Sequence, residues 1–293
     1  MNERRSENIF LAGMVLSMTC WGFSWTAGKI VASYSDPLTI SFLRFSITFL
    51  SLLIIVLAIR EKFTIKVRGI ADLVISSLLI SLYTYLFFRG LIDGKAGFGG
   101  VLVTVLNPII SYAIMLIIAR RSPTRNETIG LILGVLAGVI LLKLYTNANE
   151  LFRAGNIYFL FAALSWAVLS WFTSRAKRYG SSVTFSFWMY AISTVVMMIM
   201  AGTGAAIQTI KTADFRFWGN MFFSATITTA LATTFYFAAT SRIGASKASS
   251  FIFMVPFSAA LGSFIFLGEV IEWHTIVGGV LGIAAVYILN RRR

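Results

Sequence analysis

The sequence predicts an all-α polytopic membrane protein: ten transmembrane helices forming two five-helix repeats of inverted topology around a central cavity. Three observations predict it. Of the 293 residues, 58% are hydrophobic and only 12% are charged, about half the charge a soluble domain uses to cover itself in water. Apolar runs long enough to cross a bilayer follow one another to the end of the chain. The second half then repeats the first at a nearly fixed offset, with an odd number of runs in each half.

The runs can be taken in order. Met1 to Asn8 is polar and carries Arg4 and Arg5, and Ile9 to Gly28 then holds no charge at all. That stretch is too long for a signal-peptide core, so it opens a first span over residues 9–32. Further spans are expected at 38–59, 70–91, 96–119, 127–143, 154–176, 182–202, 217–240, 246–267 and 274–290. Each approaches the roughly 20 apolar residues that a helix needs to cross the hydrocarbon core. They are continuous and rich in Leu, Ile, Ala and Gly, whereas barrel strands are short and alternate in polarity. Ten is even, so both termini share a side. Seventeen Lys and Arg fall on that side and six on the other, with Lys29 and Arg44 inside spans. The positive-inside rule then puts both termini in the cytoplasm of a cell whose inner (plasma) membrane holds the protein.

The repeat is legible residue by residue. A shift of 148 lays Pro108 on Pro256, Gly130 on Gly278 and Gly134 on Gly282, and a shift of 145 pairs Trp21 with Trp166. Two units follow, 1–145 with spans one to five and 146–293 with spans six to ten. An odd number of spans per unit makes the second enter from the opposite face, the inverted-repeat plan of secondary transporters.

Composition excludes several functions. The formal charge of +14 is dispersed between apolar runs rather than gathered in a stripe, so nucleic acid is not a partner. Cys20 is the single cysteine, and no disulfide can close within one chain. All eleven acidic residues lie at span ends or in loops, and the one histidine, His274, opens the last span. The interior therefore offers no carboxylate pair, no triad and no metal ligand set. No catalytic residue, metal or cofactor is expected.

What the spans do hold is cationic, hydroxylic and aromatic. Lys29 and Arg44 either snorkel to the headgroups or hold an anionic group in the outer part of a cavity, the fork of arginine suiting a planar carboxylate. Ser77, Ser81, Tyr85 and Arg89 recur every fourth residue in span three, with Thr229 and Thr233 at the 148-shifted positions of span eight. Asn107 precedes Pro108 in span four. Such stripes serve either helix packing or a polar wall. Trp21, Trp25 and Lys29 share one face of span one, and Trp166 sits near the middle of span six. Membrane tryptophans prefer the interfaces, so indoles at mid-depth belong to core packing or to a binding wall. The glycines of spans five and ten follow a small-xxx-small pattern that closes helices inside one chain or between two, which leaves a homodimer open.

Several of these residues fall into a familiar pattern. Trp21-Gly22-Phe23-Ser24-Trp25-Thr26-Ala27-Gly28-Lys29 resembles the first helix of the drug/metabolite transporter superfamily, EamA type. Leu43-Arg44-Phe45 after Asp36-Pro37, the small-residue entry into span nine with Pro256, and Leu267-Gly268-Glu269 resemble later parts of the same pattern. One departure is Arg121, which stands where the second unit has Glu269. The resemblance implies a basket-like exporter of amino acids and other small metabolites. Length and aromatic content are similar to the bacterial exporters of aromatic amino acids.

The expected function is export of small metabolites, aromatic or apolar amino acids first, by alternating access. Trp21, Trp25 and Trp166 would contact an apolar side chain. Ser81, Tyr85, Asn107, Thr229 and Thr233 would hold the polar end, and Lys29 and Arg44 would attract a carboxylate. The expected partners are that small molecule and the lipid bilayer. A drug exporter of the same fold and a passive pore are the rivals.

Overall fold

The computed structural model of the chain describes residues 2–146, 149, 152, 155–243 and 251–290. Its helices are α1 (Asn2–Ala32), α2 (Pro37–Ala58), α3 (Ile70–Asp93), α4 (Ala96–Ala119), α5 (Arg125–Leu141) and α6 (Asn156–Thr173), followed by α7 (Ser182–Ala201), α8 (Gly204–Thr212), α9 (Phe215–Phe222), α10 (Thr234–Ile243), α11 (Met254–Leu267) and α12 (Trp273–Asn290). No strand occurs among the described residues. Each of the ten apolar runs is helical over its described part. The opening of the ninth, residues 246–250, lies outside the described residues. Among the described residues, six stretches are long and apolar enough to cross a membrane by length and composition, and α11 and α12 are shorter apolar helices.

Two features differ from the sequence expectation. The loop after α7 folds into the short helix α8. The eighth run is not one α-helix: α9 and α10 are joined by a π-helical stretch, Phe223–Thr233. Its wider turn is closed partly by threonines, since Thr228 donates to the Phe223 carbonyl at 3.1 Å, Thr229 to Ser224 at 2.8 Å and Thr233 to Thr228 at 3.1 Å. A π-turn is rare and commonly marks a functional position.

Local sequence explains the helix starts. Asp36 accepts from the Leu38 and Thr39 amides with Pro37 in the first turn of α2, and Thr124 and Glu127 form a reciprocal capping box on α5. Ser181 and Asp214 cap α7 and α9. Each such cap stabilises its helix by about 1 kcal/mol. Gly155 precedes α6 at φ +84°, where a Cβ would lie 2.4 Å from the Gly90 carbonyl oxygen, so no other residue fits.

The inverted relation of the halves is visible in how equivalent helices pair. A Cβ at Gly130 of α5 would lie 2.6 Å from Leu289 and 3.0 Å from the Ala285 carbonyl of α12. A Cβ at Gly278 of α12 would lie 2.5 Å from Leu141 and 3.2 Å from the Ala137 carbonyl of α5. Every one of these contacts maps onto its counterpart by the 148-residue shift, and the start of each helix meets the end of the other. Equivalent helices thus run antiparallel. The small-residue faces of α5 and α12 are closed inside the chain. The α2–α7 pair behaves likewise, Phe45 meeting Tyr190 at 5.5 Å while Phe49 meets Phe187 at 5.2 Å. Outward faces such as Leu50, Ile54 and Leu57 of α2 and Ile132, Val135 and Leu136 of α5 are bare of protein. A water-soluble monomer seldom exposes so much contiguous apolar surface; a multi-pass membrane protein turns it to lipid.

Candidate substrate site

Between the two halves, at the middle of the bundle, lies a cavity of ≈ 70 Å³. Its aromatic side is built from α1, α3 and α6. The Trp21 and Trp166 rings meet edge to face at 5.7 Å, and Tyr83 packs on Trp166 at 4.7 Å. Trp25 lies toward the α1–α2 loop against Phe87 at 4.7 Å and Phe159 at 5.7 Å. Tyr236 closes on Trp21 at 5.0 Å. Such offset and edge contacts hold the rings in place, which makes them a fixed wall.

The polar side comes from α2, α4 and the π-turn. Arg44 is 8% exposed and donates from its Nη2 to the Thr229 hydroxyl at 3.0 Å. Trp21 Nε1 donates to Thr233 at 3.2 Å. The wider π-turn brings Thr228, Thr229 and Thr233 to the cavity together. Asn107 and Thr104 line it from α4, and Pro108 within that helix has no N–H to offer the Thr104 carbonyl. Arg44 is the one charged side chain among the described lining residues. No group of three or more His, Cys, Asp and Glu suited to a metal exists among the described residues.

Of the ten residues singled out in the sequence, the structure brings Trp21, Trp25, Arg44, Asn107, Trp166, Thr229 and Thr233 to this cavity. Three stand elsewhere. Lys29 donates its ammonium to the carbonyls of Leu91, Ile92 and Gly94 and so caps the end of α3, a favourable position for a cation. Ser81 is buried with no hydrogen-bond partner, and Tyr85 packs in the cluster around Phe45 and Tyr190. The lining face of α3 is instead Ile80, Tyr83 and Thr84. At Ser77 the hydroxyl turns back on the Leu73 carbonyl at 2.8 Å, and the Ser77 carbonyl accepts from Ser193 of α7 at 3.0 Å. The i, i+3, i+4 spacing of Ile80, Tyr83 and Thr84 is a signal in the sequence, but a mixed one. Tyr190, alone among apolar neighbours on α7, gave none.

A second, larger recess of ≈ 390 Å³ opens at the α1–α2 end of the bundle. Glu272 there binds Lys95 at 2.6 Å and Lys143 at 2.7 Å. Hydrogen bonds from Lys143 and Lys95 pull its carboxyl down to about 2. Next to it, the Glu269 carboxylate accepts from the Ala96 and Gly97 amides, both at 2.9 Å.

The EamA-like transporter family matches the chain twice, over residues 8–143 and 153–291. The chain belongs to this family. The two matches cover both halves of the antiparallel arrangement described above, and the family is one of transporters. Similar proteins include the uncharacterized transporter YoaV of Bacillus subtilis, 24% identical over 95% of this chain and 95% of that one. YvbV of the same organism is 28% identical over 93% of this chain and 88% of its own length. A WAT1-related chloroplastic protein of Arabidopsis thaliana, At3g02690, is 22% identical over 69% of this chain and 50% of that one. A solved crystal structure shares the fold with a TM-score of 0.61, covering 96% of this chain and 97% of the other at 14% identity.

Proposed function

We propose that the chain is an inner-membrane carrier, with both termini in the cytoplasm, that exports small metabolites with an apolar or aromatic body and a carboxylate. Aromatic and apolar amino acids are the first class to test. The observation that carries the reading is Arg44: a buried guanidinium with one hydroxyl partner, set beside a wall of indole and phenol rings. A buried charge without a counter-ion is costly, and a carboxylate entering the cavity would relieve that cost. An apolar wall with few aimed polar groups is also how small-molecule sites are generally built. Transport rather than catalysis fits a cavity in which the one charged side chain among the described lining residues is a guanidinium. Alternating access fits two antiparallel halves that share one cavity.

The test is counterflow in proteoliposomes preloaded with phenylalanine or tryptophan, with labelled substrate outside. A carrier gives transient, saturable accumulation, which Trp166→Ala reduces at least roughly tenfold while the helical content stays intact. Uptake that never saturates indicates a pore, and unchanged uptake by Trp166→Ala removes the aromatic wall from the reading.

A further inference from the structure

We propose that the central cavity selects by net charge, taking an apolar or aromatic monocarboxylate of charge −1 in preference to the zwitterion built on the same skeleton. The inference rests on the reading of this cavity as the transport site for a carboxylate, and it sharpens the substrate class.

The argument is electrostatic. Arg44 is held at mid-depth at 8% exposure. Its Nε has no hydrogen-bond partner, its Nη2 reaches only a neutral hydroxyl, and it makes no ion pair among the described residues. The Phe87 and Phe88 rings lie 5.4 and 5.6 Å from the guanidinium carbon. They offer it a π-face and no anion. No Asp or Glu is among the described residues lining the cavity.

The described lining of an empty site therefore carries +1. A monocarboxylate on Arg44 brings it to neutrality, and a zwitterion leaves it at +1 with an ammonium added to a compartment that has no carboxylate to receive it. In a water-poor interior an unpaired charge is penalised far more than in solvent. The neutral acceptors present are Asn107, the Thr104 carbonyl that Pro108 leaves without its helical donor, and the cavity hydroxyls. They match a hydroxyl or an indole N–H of the cargo better than a full positive charge.

Three ligands that differ by one group each separate the possibilities: 3-phenylpropionate, phenylalanine and 2-phenylethylamine. Each is titrated calorimetrically at neutral pH into the full-length protein in nanodiscs. The expected order is 3-phenylpropionate tighter than phenylalanine by about tenfold or more, with no detectable binding of 2-phenylethylamine. Arg44→Lys should keep the order, and Arg44→Gln should abolish it by weakening the acid to the level of the amino acid. Phenylalanine binding as tightly as 3-phenylpropionate overturns the charge rule but leaves the carboxylate site standing. An order that survives in Arg44→Gln also overturns it. If none of the three binds, the carboxylate reading of the cavity fails, and the charge rule goes with it.

Discussion

Glu269 makes the sharpest prediction about motion. The loop of residues 268–272 turns at Gly268, φ +67°, and delivers the Glu269 carboxylate to the start of α4, a helix whose own preceding residue, Lys95, supplies no side-chain cap. Both oxygens accept backbone amides, Ala96 and Gly97, at 2.9 Å. A carboxylate at a helix N-terminus gains from the amides and from the helix dipole together. Removing such a cap costs about 0.5–2 kcal/mol, or roughly 2- to 30-fold in a two-state population. If this cap holds α4 to the α11–α12 loop and keeps that end of the bundle shut, Glu269→Ala should raise access to the cavity from that end by this factor. The reporter is Ser24→Cys, a lining position, in a chain whose native Cys20 is replaced by Ala. Its rate of reaction with an impermeant maleimide is measured from each side of oriented vesicles. An unchanged rate from the loop side, or a rise confined to the side of the termini, refutes the reasoning.

Glu272 has its pKa depressed to about 2 by Lys143 and Lys95, so its contribution is complete above the ordinary carboxylate range and is lost only as pH falls toward that value. The ratio of the loop-side to the far-side maleimide rate in the otherwise native reporter, which cancels the falling thiolate fraction of the cysteine, should therefore stay flat from roughly pH 8 to pH 5, whereas Glu272→Gln should raise it at every pH; a rise of this ratio in the native protein on mild acidification would contradict this. At Gly22 a Cβ would lie 2.0 Å from the Ser258 hydroxyl and 2.7 Å from the Ala259 amide nitrogen. Gly22→Ala should then destabilise the α1–α11 contact by about 1–3 kcal/mol, read as a lowered melting temperature in detergent, and an unshifted melting curve would count against the close packing.

The fold was legible because membrane segments are dictated by length and apolarity, and because the repeat showed itself in Pro108/Pro256 and Gly130/Gly278. The aromatic half of the site was legible for a related reason: Trp21 and Trp166 are expensive to explain away from an interface. The polar half was less so. Ser81 and Tyr85 form a clean fourfold stripe, yet a hydroxyl in a helix satisfies itself on its own backbone as readily as on a ligand, as Ser77 does on the Leu73 carbonyl at 2.8 Å. A stripe therefore gives a face but not its neighbour. Lys29 was misleading in the same way, since a cation near the end of a span can serve lipid, ligand or the carbonyls of the next helix, and only the tertiary fold chooses. The π-turn left no trace in the pattern of residues 217–240, because its threonines fit an α-helical reading equally well.

The departure from the repeat at Arg121 gains meaning from the same geometry. Under the 148-residue shift Glu269 corresponds to Arg121, and the start of α4 corresponds to the start of the ninth run. An arginine placed at a helix N-terminus would meet the positive end of the dipole. Arg121 instead turns back on its own unit, binding both oxygens of Glu127 at 2.7 Å, a carboxylate that also receives the Tyr112 hydroxyl and the Thr124 amide. Two halves related by a pseudo-twofold axis would otherwise present equivalent fastenings at both ends, leaving the two access states close in energy. With arginine at position 121, that residue has no carboxylate to offer the start of the ninth run, whose residues 244–250 lie outside the described set. The end that carries the termini lacks a carboxylate from residue 121, while the opposite end keeps Glu269 on α4 and Glu272 on two lysines. On the proposed alternating-access reading, this asymmetry would bias the resting carrier toward closure at the α11–α12 loop, and cargo binding at Arg44 would have to act against that bias for release on the far side.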